Sequence, residues 1–288
     1  MSKQGWEDRY WTSRDGLRLH YRDYAGSGDR PPLICLHGLT RNARDFGDLA
    51  ERFAGDWRLI VPDFRGRGLS DYDPLPVRYA PPTYAGDIMQ MMDVLGVEQA
   101  VFVGTSLGGL VTMAIAAIAQ QRIAAAVLND VGPELEETGL QRIRSYVGKP
   151  ALFHSWRAAA RYIARGNAAM HPRYDESDWI KMAQRVCRSA NGEILFDYDM
   201  AAADNVLAGA GAPPIDAWPY FRALAHAPLL IVRGELSDLL SEENARRMAA
   251  EHPDAELVTV QGVGHAPDLD EPEAVAGIER LLAKADAR

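Results

Sequence analysis

Six short, nearly unbroken apolar runs constrain the fold of this 288-residue chain more than any other feature. They are PPLICLHG (31–38), RLIVPD (58–63), AVFVG (100–104), AAAVLND (124–130), PLLIVRG (228–234) and ELVTVQG (256–262). A run that is apolar on both faces needs cover on both sides, as a strand inside a parallel sheet has. Helical patterns lie between the runs. They are FGDLAERFA, TYAGDIMQMMDVLG with apolar residues at Ile88, Met91, Met92 and Leu95, SLGGLVTMAIAAIAQ, SEENARRMAAEH with Ser241 as N-cap, and EPEAVAGIERLLAKA. Strand and helix alternate from Pro31 to the end. The expected fold class is therefore α/β, a doubly wound and mostly parallel sheet flanked by helices. Ahead of it, RYWTSRDGLRLHYRDY alternates around Asp15-Gly16 and reads as a hairpin.

One interruption breaks the alternation. From about Gly132 to about Pro219 there is no clear strand, only helical segments containing Trp and Arg, such as SWRAAARYIARGN and SDWIKMAQRVC. A crossover of that length is expected to be an inserted helical cap over residues 132–219, with the core formed by 1–131 and 220–288. AGAGAPP, Ala208 to Pro214, reads as the flexible return to the core. Aromatics of the insertion, Tyr146, Trp156 and Trp179 among them, are expected mainly to hold its helices together, and none is assigned to a pocket.

Charge and cysteine content exclude several classes of function. A net charge of −9 with scattered Lys and Arg leaves no basic patch for nucleic acid, and RIRSYVGK (142–149) reads as a solvated helix face. Two cysteines, Cys35 in an apolar run and Cys187 in a helical-looking stretch, suggest neither a disulfide framework nor a metal site. MSKQGWEDRY lacks the apolar stretch of a signal peptide, and no apolar run reaches membrane-spanning length. A cytoplasmic protein acting on a small molecule is expected, with no membrane or nucleic-acid partner. No cofactor is expected: in GRGLSD, Asp71 stands where a third phosphate-binding glycine belongs, and no phosphate-loop lysine motif occurs.

The chemistry centres on FVGTSLGG (102–109). The pattern G-x-S-x-G is weak alone, but here it ends an apolar run and opens a helix. That is the strand–turn–helix setting that exposes a serine nucleophile. Gly104 and Gly108 let strand and helix approach closely, and the helix N-terminus supplies amide donors. Ser106 is the expected nucleophile. A serine hydroxyl needs a base, and the base needs an orienting acid. His265 in GVGHAP follows the last strand and is the expected base. His20, His154, His171, His226 and His252 lie in the hairpin, in the insertion or at the wrong edge of the sheet. Asp238 in RGELSDLL is the expected acid, because it completes the chain order Ser, Asp, His. Asp130, directly after AAAVLN, is its rival. The backbone N–H groups of Leu39 in HGLT and of Leu107 are the expected oxyanion donors, with His37 bracing that loop.

Taken together, LHGLT, PDFRGRGLSD, VGTSLGG, GELSD and GVGHAP, in that order, resemble the α/β-hydrolase family, with the insertion in the position of its helical cap. The resemblance implies a serine hydrolase of small-to-medium carboxylic esters. Carbon–carbon bond hydrolases and lactonases with the same triad are the alternative, and a ligand-binding protein that keeps the triad is a minor one. Dehalogenase- and epoxide-hydrolase-like relatives use an aspartate nucleophile, which Ser106 sets aside.

Overall fold

The computed structural model describes residues 5–208 and 215–287. All six apolar runs form strands of one eight-stranded sheet. The hairpin pairs β1 (Glu7–Thr12) with β2 (Arg18–Tyr24). The apolar runs give β3 (Leu33–Leu36), β4 (Leu59–Pro62), β5 (Ala100–Thr105) and β6 (Ile123–Asn129). The spatial order is β1-β2-β4-β3-β5-β6, followed by two late strands, Leu229–Gly234 and Ala255–Val260. Strand β2 pairs antiparallel to β4, and every pairing from β4 onward is parallel.

The unbroken apolarity of these strands follows from the two layers of cover. Ile34, Leu36, Phe102, Leu128 and Ile231 join one buried cluster, and their neighbours Leu33, Cys35, Val101, Val127 and Leu230 join another on the opposite face. Helices α1 (Gly47–Phe53), α2 (Pro81–Val94) and α3 (Leu107–Ala119) supply part of this cover. The sequence patterns anticipated all three. Two later helices complete it, Glu242–Glu251 (whose N-cap is Ser241) and Pro272–Asp286.

Between β6 and the late strands, the chain forms α4 (Glu137–Tyr146), β7 (Leu152–Phe153), α5 (Trp156–Asn167), α6 (Glu176–Val186), β8 (Cys187–Ala190) and β9 (Glu193–Phe196). The purely helical expectation is corrected here. The three strands make an antiparallel sheet of order β7-β9-β8, and Cys187 opens β8. Cys35 and Cys187 are both buried free thiols. Phe153, Ile163, Trp179, Met182 and Ile194 form a core private to this region. Its chain returns through α7 (Asp204–Ala208) and α8 (Trp218–Arg222). Of the expected flexible return AGAGAPP, residues 209–214 lie outside the described residues. The expected boundary at 219 falls within α8, whose Trp218 and Phe221 pack into the main core cluster. The late strands are β10 (Leu229–Gly234) and β11 (Ala255–Val260), with α9 (Glu242–Glu251) between them and α10 (Pro272–Asp286) last.

The PDFRGRGLSD loop after β4 is a structural hub. Asp63 is buried and accepts from His20 Nδ1 at 2.7 Å, Ala43 N–H at 2.6 Å and Leu69 N–H at 3.0 Å. Arg65 is also buried. It bonds Asp87 through Nε at 2.8 Å and Nη2 at 2.7 Å, Asp15 through Nη1 at 2.8 Å, and Asp73. Removing one member of a buried ion cluster leaves uncompensated charge. Arg65→Met is expected to lower unfolding free energy by about 3–5 kcal/mol in urea titration, because Asp87 and Asp73 lose their close cation while Asp15 keeps only Arg78. A loss below about 1 kcal/mol would show that the cluster contributes little.

Candidate active site

Ser106 stands between β5 and α3 with φ 52° and ψ −115°, a left-handed conformation that costs a non-glycine residue on the order of 1–3 kcal/mol. The flanking glycines make the turn possible. A Cβ at Gly108 would lie 2.0 Å from the Leu36 carbonyl oxygen, and one at Gly104 would lie 2.6 Å from the Gly108 carbonyl carbon. The serine N–H donates to the Asn129 carbonyl at 3.0 Å, which pins the turn to the end of β6.

His265 reaches this serine from the loop after β11. Its Nε2 is 3.0 Å from Ser106 Oγ. The loop is held at several points: Gly264 N–H donates to the Met170 carbonyl at 2.6 Å, Leu236 N–H to Val263 at 2.8 Å, and Asn129 Nδ2 to the Pro267 carbonyl at 2.9 Å. Sequence reasoning brought these two residues together, and the structure places them in hydrogen-bond contact.

The acid differs from the expectation. Nδ1 of His265 is 2.8 Å from Asp130 Oδ2. Asp130 is fully buried and also accepts from Gly234 N–H at 2.8 Å and from Ser237 Oγ–H at 2.6 Å. Asp238 turns the other way. Its carboxylate takes both Nε and Nη2 of Arg142, at 2.6 and 2.8 Å. Burial pushes the Asp238 carboxyl up, but the Arg142 hydrogen bonds outweigh this and hold it below the usual carboxylate range. The carboxylate expected from chain order, Asp238, is therefore not the one that meets His265. In the loop after β10, Ser237 points at the site and Asp238 points at α4. Asp130 directly follows β6, the neighbour of the serine's strand, but a place after a strand end does not by itself distinguish it from Asp238. The Asp130 φ of 55° suits aspartate better than most residues. Arg142 likewise departs from the solvated face expected of RIRSYVGK.

His37 braces the HGLT loop as expected. Its Nδ1–H donates to the Gly38 carbonyl at 2.7 Å, and its Nε2 accepts from Phe64 N–H at 3.1 Å. Burial pushes its pKa down to about 4, so it stays neutral and both ring nitrogens are occupied. Leu39 lines the cavity over Ser106, and buried Arg67 holds its carbonyl through Nε at 3.0 Å. Leu107 is the first residue of α3, where an N–H has no carbonyl one turn earlier to bond. The cavity itself is about 100 Å³, walled by Leu39, Arg41, Tyr146, His171, Met182 and Asp268 besides the serine and His265. Arg41 and His171 were not singled out from sequence. Among the described residues, no group of three or more His, Cys, Asp or Glu side chains could hold a metal ion, and no helix is long and apolar enough to cross a membrane.

A sequence profile for the alpha/beta hydrolase fold matches residues 31–272. The chain belongs to the α/β-hydrolase fold family. This α/β hydrolase is 52% identical to an alpha/beta hydrolase from Novosphingobium aromaticivorans of known crystal structure, with a TM-score of 0.93 over 98% of this chain and 100% of that one. It is 30% identical to the 3-hydroxybutyrate-oligomer hydrolase of Cupriavidus necator over 90% of each chain. It is 27% identical to esterase YbfF of Escherichia coli over 92% of this chain and 98% of the esterase. Hydrolase chemistry on the expected fold is thereby supported.

If Asp130 orients His265, Asp130→Asn should lower kcat on p-nitrophenyl acetate by about 10⁴-fold, because the wrong imidazole tautomer is favoured. Asp238→Asn should cost about tenfold or less, since it only loosens the Arg142 contact. Stopped-flow or steady-state rates of the two purified variants decide between the carboxylates.

Proposed function

We propose that this α/β hydrolase cleaves small-to-medium carboxylic esters through an acyl-enzyme on Ser106. The observation that carries the reading is the hydrogen-bonded series Ser106 Oγ, His265 Nε2 and Nδ1, Asp130 Oδ2, at 3.0 and 2.8 Å. The name of the E. coli relative, an esterase, agrees with it.

The steps follow from the parts. As Oγ attacks the ester carbonyl, His265 Nε2 takes its proton. The imidazolium that forms is stabilised by the buried Asp130 carboxylate, a charge-assisted hydrogen bond in a low-dielectric setting. The oxyanion of the tetrahedral intermediate is taken by the N–H groups of Leu39 and Leu107. His265 then protonates the leaving alkoxide. In the second half, it removes a proton from water, which attacks the acyl carbon, and it returns that proton to Oγ as the C–Oγ bond breaks, releasing the carboxylic acid and free Ser106. The strained turn at Ser106 contributes by presenting Oγ at the sheet edge with a fixed direction. The stretch from α4 to β9, which supplies Tyr146, His171 and Met182 to the cavity wall, acts in this reading as the cap that sets substrate size.

Fluorophosphonate treatment followed by peptide mass spectrometry is expected to give one adduct, on Ser106. Ser106→Ala should lose labelling, together with at least about 10⁴-fold of ester turnover. An adduct on another serine, or unchanged turnover in Ser106→Ala, would contradict the assignment. Against a vinylogous diketone, a p-nitrophenyl ester of two to four acyl carbons should be the faster substrate.

A further inference from the structure

We propose that the cavity over Ser106 is built for an anionic substrate whose carboxylate, in the acyl or the alcohol part, is bound by Arg41 with His171 beside it. This deepens the ester-hydrolase reading and rests on it for the chemistry, though not for the binding.

Arg41 ends the HGLT turn and shares a wall with the nucleophile. A Cβ built on Gly38 would lie 3.3 Å from Arg41 Cγ and 3.8 Å from Ser106 Cβ, so the arginine stem and the serine flank the same glycine. Its guanidinium is committed on one edge only. Nε donates to Asp45 Oδ2 at 2.7 Å, and among the described residues this is its one side-chain hydrogen bond. A guanidinium has five N–H donors in a planar fork. The two Nη groups, with four of those donors, remain for a ligand. Asp268, the other carboxylate at the cavity, is already engaged: it accepts from Arg185 Nη1 at 3.1 Å and from the Tyr174 hydroxyl.

His171 is a second, independent sign of a missing polar partner. The side chain is 5% exposed, lines the same cavity and has no hydrogen-bond partner at Nδ1. A buried polar atom without a partner costs about 1–3 kcal/mol unless a ligand or water satisfies it. Burial pushes the pKa of His171 down to about 4, so at neutral pH it offers a neutral N–H or lone pair and no charge to oppose Arg41. The Tyr174 ring packs against it, tilted, at 4.5 Å between ring centroids.

Neither residue is needed by the series Asp130, His265 and Ser106, which is complete without them. Asp45 already balances the Arg41 charge, so what the cavity offers a ligand is the unused Nη donors of the fork. The planar fork can take a carboxylate through two parallel N–H donors.

The test measures binding to the Ser106→Ala protein by isothermal titration calorimetry, with monomethyl succinate against dimethyl succinate. These ligands differ at the second carboxyl alone, which is a free carboxylate in one and a neutral methyl ester in the other. The free acid is expected to bind at least about tenfold more tightly, as the loss of a charge-assisted pair implies. Adding Arg41→Met to Ser106→Ala should bring the ratio of the two affinities close to one, and Arg41→Lys should restore part of the preference. Equal or tighter binding of the diester to Ser106→Ala overturns the proposal without any change at Arg41. So does a preference that survives Arg41→Met in a protein with an unchanged circular dichroism spectrum. Failure of the ester reading looks different. In that case wild-type protein turns over neither ester and takes no fluorophosphonate at Ser106, while the affinity ratio still decides the carboxylate site.

Discussion

The carboxylate of Asp130 joins three separate segments of the chain at the site. Buried at the end of β6, it accepts from Gly234 at the end of β10, from Ser237 in the next loop and from His265 after β11. Three neighbouring strand ends therefore converge on one anion. An ionised carboxylate with no water around it is stable only while those donors stay in place. The same bonds that keep the charge tolerable fix the direction of the imidazole, and the imidazole reaches Ser106 at 3.0 Å.

The serine side of the site depends on close approach rather than on charge. Ser106 adopts its left-handed backbone because β5, α3 and the Leu36 carbonyl meet where only glycines fit at 104 and 108. Its strain is small beside the burial of the two apolar layers on either side of the sheet. The loop after β4 extends the arrangement outward. Arg67 holds Leu39 from below. Backbone bonds from Gly68 N–H to Asp197 at 3.2 Å and from Asp199 N–H to Gly66 at 2.7 Å tie the inserted region to the same loop. The floor and the roof of the cavity are thus braced by one segment, PDFRGRGLSD.

Much of this was legible in the sequence, for identifiable reasons. The six core strands and five flanking helices announce themselves through local apolar patterning, and Ser106 and His265 through their places at strand ends. Asp130 and Asp238 could not be separated in this way. Both follow strands at the same edge, and which one turns inward depends on how the loop after β10 leaves the sheet. There Ser237 takes the inward position, and Arg142, 96 residues away in the chain, captures Asp238. The small sheet of the inserted region was missed because its strands are only two to four residues long, too short to show alternation. Arg41 and His171 carry no motif at all. What draws attention to them is the cavity they share and the donors they leave unused.

Asp130, not Asp238, is the partner of His265 Nδ1. Proton NMR of the imidazole N–H region tests this directly, because a proton held between a buried carboxylate and an imidazole resonates far downfield and exchanges slowly. Such a resonance is expected in the wild-type protein and in Asp238→Asn, and its loss is expected in Asp130→Asn. A resonance that survives Asp130→Asn and vanishes in Asp238→Asn would contradict this pairing.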